Sequence, residues 1–166
     1  MAQGKAKSNV EDVRMKIIEK ANKINLKPVS SSYSLNYQPL STSDQGKFVY
    51  YVDFSNYSAA IYCRSNTSNA YAVWGDIFAK YSKFLTGDSP SKIERGATNI
   101  NQKYFLGAPT SDEFRTPNKN GAGQHFEGGS IYWSPATGAH EVHGAIKDKW
   151  AALGWENSFL GFPTTD

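Results

Sequence analysis

Between residues 10 and 25, apolar side chains return every three or four positions, at Val10, Val13, Ile17, Ala21 and Ile24. Glu11, Arg14, Lys16, Glu19, Lys20 and Lys23 take the other faces, so the spacing predicts an amphipathic helix with one stripe to bury. Ser8 and Glu11 make a capping-box pattern at its start, and Pro28 ends any extension. Residues 29–46 are rich in Ser, Tyr and Pro and close on the turn signal Ser43-Asp44-Gln45-Gly46. They read as a tethered loop with at most a short edge strand. The period then changes. KFVYYVDF (47–54), SAAIYCRS (58–65) and NAYAVWG (69–75) are dense in aromatic and β-branched residues with polar breaks between, which suits a three-stranded antiparallel meander. Directly afterwards Ile77, Phe78, Tyr81, Phe84 and Leu85 return at helical spacing.

The same order comes round again. A connection punctuated by Gly87, Pro90 and Gly96 leads to the turn-rich LGAPTSDEFRTPNKNGAG. GQHFEGG, SIYWSP and AHEVHG then read as three short strands, and Ala145, Ile146, Lys149, Trp150 and Leu153 as a helix stopped by Gly154. Ile61-Tyr62 aligns with Ile131-Tyr132, Gly75-Asp76-Ile77 with Gly144-Ala145-Ile146, and Tyr81 with Trp150. Each helix leads into one phrase, LGAPTSD at 106–112 and LGFPTTD at 160–166. A return of this kind is a repeat signature. The predicted fold is α+β: two β-β-β-α repeat units side by side, with the amphipathic helix covering an exposed end. The expected division is an N-terminal helix and connection at 1–46, a degenerate repeat at 47–113 and a well-formed repeat at 114–166.

Composition narrows the classes. The chain has 166 residues, long enough for a core without staples, and 18 Lys and Arg stand against 15 Asp and Glu. The net charge of +3 is not gathered into a basic stripe, so no nucleic-acid partner is expected. Cys63 is the only cysteine, inside the apolar run AAIYC, and reads as a small buried hydrophobe in a reducing compartment. MAQGKAKSN is basic but no apolar core follows it, so a secretory signal is not expected. That reading implies a cytoplasmic protein or export by a non-classical route. No run approaches the roughly 18 apolar residues of a membrane span.

Residues 125–166 carry a Gly-Ser-Ile-Tyr-Trp run, a Thr-Gly-Ala-His turn, a Val-x-Gly-x-Ile step and a terminal Leu-Gly-Phe-Pro-Thr, all in the register of one known unit. The segment closely resembles the LGFP repeat. LGAPTSDE at 106–113 is similar to the end of a preceding repeat, and 47–85 is a weaker version of its body. The resemblance implies a binding module. Such repeats occur in tandem in secreted proteins of mycolic-acid bacteria, often beside mycolyltransferase or amidase domains, and are thought to hold their carriers to cell-wall polysaccharide. A free-standing lectin-like protein with a glycan or wall polysaccharide as partner is the expectation for this chain.

Strand alternation then nominates residues. Ile131, Val142 and Trp133 are assigned to the core, which leaves Tyr132, Glu141 and His143 on the other face. Sugars suit such a face, because their C–H groups stack on rings while their hydroxyls need fixed hydrogen-bonding groups. Aromatics in a small repeat also fill cores, so each ring has both readings, and Trp133 stays among the candidates on that ground. Trp150 lies on the helical stripe and reads as core, whereas Trp155, between Gly154 and polar Glu156-Asn157, is the exposed candidate. Asp112 and Glu113 follow the first LGAP phrase and would line the groove between units.

Phe162 is expected to plug a neighbouring unit, with burial contributing about 1.5–3 kcal/mol, so association between chains through the final phrase is also expected. Catalytic patterns are missing. The His-Glu-Val-His run at 140–143 lacks the His-Glu-x-x-His spacing, and no nucleophile elbow, P-loop or dinucleotide fingerprint occurs. Neither metal nor cofactor is expected, and the protein reads as a non-enzyme. The alternatives are a protein–protein or self-assembly module using the same aromatic groove, and a glycoside-active enzyme using Glu113 and Glu141.

Overall fold

The computed structural model describes residues 2–26, 36–39, 48–54, 58–64, 69–86, 106–117 and 120–166. The chain is α+β. Helix α1 (Ala2–Lys23) precedes strands β1 (Asn36–Pro39), β2 (Phe48–Phe54), β3 (Ala59–Arg64) and β4 (Ala70–Trp74) and helix α2 (Gly75–Thr86). Strands β5 (Phe114–Arg115), β6 (Ala122–His125), β7 (Gly129–Ser134) and β8 (Gly138–His143) follow, then helix α3 (Gly144–Ala152) and a 3-10 turn at Trp155–Asn157. The punctuated connection at 87–105 lies outside the described residues.

Helix α1 starts earlier than its apolar period suggests, so Ser8 lies within it rather than capping it. Its end is a Schellman motif rather than Pro28. Leu26 N–H donates to Ala21 O (2.8 Å), Asn25 N–H donates to Asn22 O (3.1 Å), and Asn25 takes the left-handed conformation (φ 55°). No described helix is long and apolar enough to cross a membrane.

Strands β1–β4 form one antiparallel meander in chain order and β5–β8 form a second. Each has four strands, one more than alternation predicts. The additions are edge strands: β1, the short edge strand allowed for in the Ser/Tyr/Pro-rich connection, and the two-residue β5, which is too short to show a period. Pro39 is tolerated in β1 because an edge strand has a face of its backbone free of partners. The two sheets share a register. Ile61 pairs with Ala72 and Tyr62 with Tyr71, as Ile131 pairs with Glu141 and Tyr132 with His140. The stretch from Cys63 to its partner Ala70 is one residue longer than that from Trp133 to its partner Ala139, and the ladders keep the same pairing. Both sheets run straight into a helix at a left-handed glycine, Gly75 (φ 58°) and Gly144 (φ 55°).

Packing turns these pieces into alternating layers. Val13, Ile17 and Ala21 of α1 pack on Ala59, Ile61, Cys63 and Ala72 of the first sheet. The other side of that sheet, through Ala60, Tyr62 and Val73, packs with Ile77 and Tyr81 of α2. The same cluster takes in Leu106, Phe126 and Ile131, so α2 is sandwiched between the two sheets. Beyond the second sheet, Tyr132 and Val142 pack with Trp150 of α3. The order through the molecule is α1, sheet, α2, sheet, α3. A sheet covered on both faces reads as a continuous apolar run, which is why AAIYC shows no alternation and its residues are buried throughout. Cys63 belongs to this interior.

Ile77 and Ile146 occupy the same helical position, two residues after the helix-starting glycine, yet Ile77 is 2% exposed and Ile146 is 77% exposed. Ile77→Ala is expected to cost about 2–5 kcal/mol, as for other buried large-to-small changes. Ile146→Ala should stay within about 0.5 kcal/mol of the parent. Urea denaturation of the two variants measures both.

Candidate functional site

The LG-x-PT-x-D phrases fold alike and act as clasps. In the first, Gly107 adopts φ 66°, and its carbonyl accepts the Tyr81 hydroxyl (2.7 Å). In the second, Gly161 adopts φ 65°, and its carbonyl accepts the Trp150 indole N–H (3.1 Å). Left-handed backbone is where glycine is favoured, and turning the carbonyl onto the helix ring depends on it. Each clasp ends on an aspartate at a sheet edge. Asp112 Oδ1 accepts from the amide of Ala72 (3.3 Å) and Asp166 Oδ1 from the amide of Glu141 (3.2 Å), and these two strand residues are equivalent in register. The second oxygens pair with lysines of the preceding helices, Asp112 with Lys20 and Asp166 with Lys80.

The first clasp is buried between layers, and the second is not. Leu106 is 1% exposed, and Gly128 N–H donates to its carbonyl (2.9 Å), while its counterpart Leu160 is 53% exposed. Fully buried Gln124 fastens the first clasp further, its Nε2 donating to Ala72 O and Ser111 O at 2.9 Å each. Arg64 and Glu127 form an ion pair across the sheets, and Glu127 Oε2 also accepts from Ala108 N–H (2.9 Å). Phe162 does not reach for another unit. It packs on its own unit beside Tyr132 and Trp150, so close to Gly121 that a Cβ there would stand 2.7 Å from the ring. A groove of about 970 Å³ remains outside α3, lined by Ile146, Lys149, Leu160 and Phe162 and by the β8 edge at Glu141 and His143.

A second surface is aromatic. The Phe114 and His125 rings lie 4.9 Å apart, and His125 and Trp155 5.9 Å apart, all three half-buried. Trp155 stacks on Tyr132 (5.9 Å, 21° between planes) and meets Trp150 edge to face (5.3 Å, 79°). Trp155 holds φ 58° directly after Gly154 at φ 103°, an uncommon conformation for a bulky residue that fixes where the indole is presented. His125 Nδ1 lies 2.8 Å from the Ser130 hydroxyl, and its backbone N–H donates to Ser111 Oγ (3.0 Å). Burial, and then the charge of Lys147, lower the His125 pKa below its ordinary 6.5, so the ring is neutral at pH 7.

The sequence candidates are distributed over these places rather than gathered. Ile131 and Val142, assigned to one core face, lie on opposite faces, because Ile131 pairs with Glu141 and Ser130 with Val142. Both faces are core. Tyr132 is buried in the α3 cluster, and Trp133 packs against the α2 cluster. Glu141 is buried with Oε2 2.7 Å from Nδ1 of the more exposed His143. Its pKa is raised by burial, against the lowering contact with His143. Asp112 is spent in the clasp, and Glu113, its pKa raised by burial, takes a hydrogen bond from Trp74. Of the candidates, only Trp155 sits in the aromatic patch with part of its ring accessible.

Phe114 and His125 were not indicated by alternation, because the pairing that brings them together runs through the very short β5 (Phe114 opposite Gly123). The helix lysines were also missed, although a signal exists: Ile17-x-x-Lys20-Ala21, Ile77-x-x-Lys80-Tyr81 and Ile146-x-x-Lys149-Trp150 repeat one pattern in three helices. Among the described residues, no group of three His, Cys, Asp or Glu side chains is placed to hold a metal ion.

Residues 106–158 match the family model of the LGFP repeat, so this segment of the chain is an LGFP repeat. It opens on the first clasp and extends through the second sheet, α3 and the 3-10 turn. A search of curated proteins finds no match to the chain.

Asp166 gives the clasp a pH dependence. Burial opposes its ionisation most, but Lys80, the Glu141 amide and His140 together outweigh that and hold its pKa below the ordinary 3.8. A carboxyl with a depressed folded pKa adds stability that is complete above the ordinary value and lost as pH falls through the folded one. Asp166→Asn should therefore lower the urea midpoint at about pH 5, and the difference from the parent should shrink progressively as pH falls below the ordinary carboxylate range.

Proposed function

We propose that this chain is a non-catalytic glycan-binding protein of the LGFP-repeat kind, whose partner is a cell-wall polysaccharide. Its two meander-helix segments are read as diverged copies of one unit, the first degenerate. The observation that carries the glycan reading is the half-buried trio Phe114, His125 and Trp155, inside the segment that matches the LGFP repeat. Rings fixed on a rigid scaffold lose little entropy on stacking against a sugar, and neutral His125 and nearby Lys147 supply hydrogen-bonding groups. The non-catalytic reading is supported by how the carboxylates are engaged. Asp112 and Asp166 are held by amides and lysines, and Glu141 by His143. A second reading, self-assembly, is favoured by the apolar groove outside α3.

Affinity per site is expected at about 0.1–1 mM, useful chiefly through multivalent display. A glycan array that includes wall polysaccharides of mycolic-acid bacteria, followed by calorimetry, tests the reading. Trp155→Ala should weaken binding by about tenfold or more, roughly the loss of one good stacking contact, while His143→Ala leaves it unchanged. Silence across the array, or a Trp155→Ala variant that binds like the parent, sinks it.

A further inference from the structure

The layered order sets up a comparison of three helix faces. In α1, Ile17 is buried on the first sheet and Lys20 pairs with Asp112 at that sheet's edge. In α2, Ile77 is buried in the cluster that joins the two sheets, and Lys80 pairs with Asp166 at the edge of the second. In α3 the same positions are Ile146, 77% exposed, and Lys149, exposed and without an ion-pair partner among the described residues. Leu160, counterpart of buried Leu106, stands beside them in the open groove. The α3 face is thus built like two faces that each carry a sheet, and among the described residues it carries none.

We propose that the α3 face is a docking surface for the first sheet of a second copy of this chain, seated where that copy's α1 now lies. The fit follows from the contacts α1 already makes. Ile146 would take the place of Ile17 over Ile61, and Lys149 would take the place of Lys20 on Asp112. The α3 face carries exposed Leu160 beside Ile146, whereas helix α1 brings no clasp leucine to this sheet. Its advantage is being tethered to the sheet, an effective concentration in the millimolar range. One feature opposes the exchange. The second sheet has Gly129 where the first has Ala59, and a Cβ at Gly129 would stand 2.8 Å from Leu106, so Leu160 would have to shift to pass the Ala59 methyl. Helix α1 is then an internal competitor that sets the concentration at which copies join head to tail. Such contacts are heterologous and give rings or open filaments. The inference rests on the equivalence of the two segments and not on the glycan site.

Cys63 reports the exchange, since it lies under α1 within the same cluster, buried, with its thiol pKa pushed up to about 11 mainly by that burial. The test uses the full chain with Ile17→Asp, which loosens α1, and with Ile17→Asp combined with Ile146→Asp. Sedimentation and Cys63 labelling by a thiol reagent are followed from about 1 to about 300 μM, a range spanning weak to moderate association. The single variant should label fast and sediment as a monomer when dilute, then associate and regain protection as concentration rises. The double variant should stay monomeric and reactive throughout. A single variant that labels fast yet remains monomeric at every concentration overturns the proposal, as does association that Ile146→Asp leaves intact. Should Ile17→Asp prevent folding, the unmodified chain is compared with Ile146→Asp at about 1 mM, where association is expected only in the former. Equal sedimentation of the two also overturns it. Trp155→Ala, run alongside, should associate like its parent, which separates failure here from failure of the glycan reading.

Discussion

The aspartate that closes each clasp joins three layers with one side chain. One oxygen accepts an edge-strand amide, at Ala72 or Glu141, and the other pairs with the lysine of the helix on the preceding layer, Lys20 or Lys80. An edge strand has outward amides that must find a partner or water, and a carboxylate there both satisfies one and discourages pairing with another strand. The lysines are partly buried, with 12% of each side chain exposed, so the pairs are less screened than pairs on open surface. The clasp glycine, with its carbonyl fixed by Tyr81 or Trp150, delivers the aspartate to the strand. Layer spacing, helix register and the end of each sheet all pass through these few bonds.

Once helices alternate with sheets, neither face of a sheet is left for a ligand. Tyr132 and Ile131 point in opposite directions and both are core. Recognition is moved to the rim. There the short strand β5, the end of β6 and the turn after α3 bring Phe114, His125 and Trp155 within ring-contact distance, each half-buried. The rim is held rigidly because its inner side is the α3 cluster: Trp155 rests on Tyr132 and Trp150, and Trp150 is in turn bonded to the clasp. The aromatic platform and the docking groove therefore share a foundation while presenting separate surfaces.

What the sequence determined by itself was local. The helical period of Val13, Ile17 and Ala21, the meander of three strands, the glycine stops and the recurrence of LG-x-PT-x-D were all visible, because each depends on chain neighbours or on a repeated spelling. The LGFP likeness of the second segment was visible for the same reason. Direction was not. Alternation separates the two faces of a strand but cannot say what covers each, so Val142 was joined to Ile131 when the pairing of Ser130 with Val142 puts them apart. A sheet enclosed on both sides removes the polar face on which the site assignment relied. Phe162, expected to plug a neighbouring unit, was misplaced on similar grounds, since only the position of Gly121 gives the ring a seat beside Tyr132 and Trp150. Tertiary structure alone decided which lysine meets which aspartate, and which of three equivalent isoleucines stays in water. Those outcomes depend on the order in which layers stack, and a one-dimensional pattern of polarity carries the need for burial without the identity of the partner.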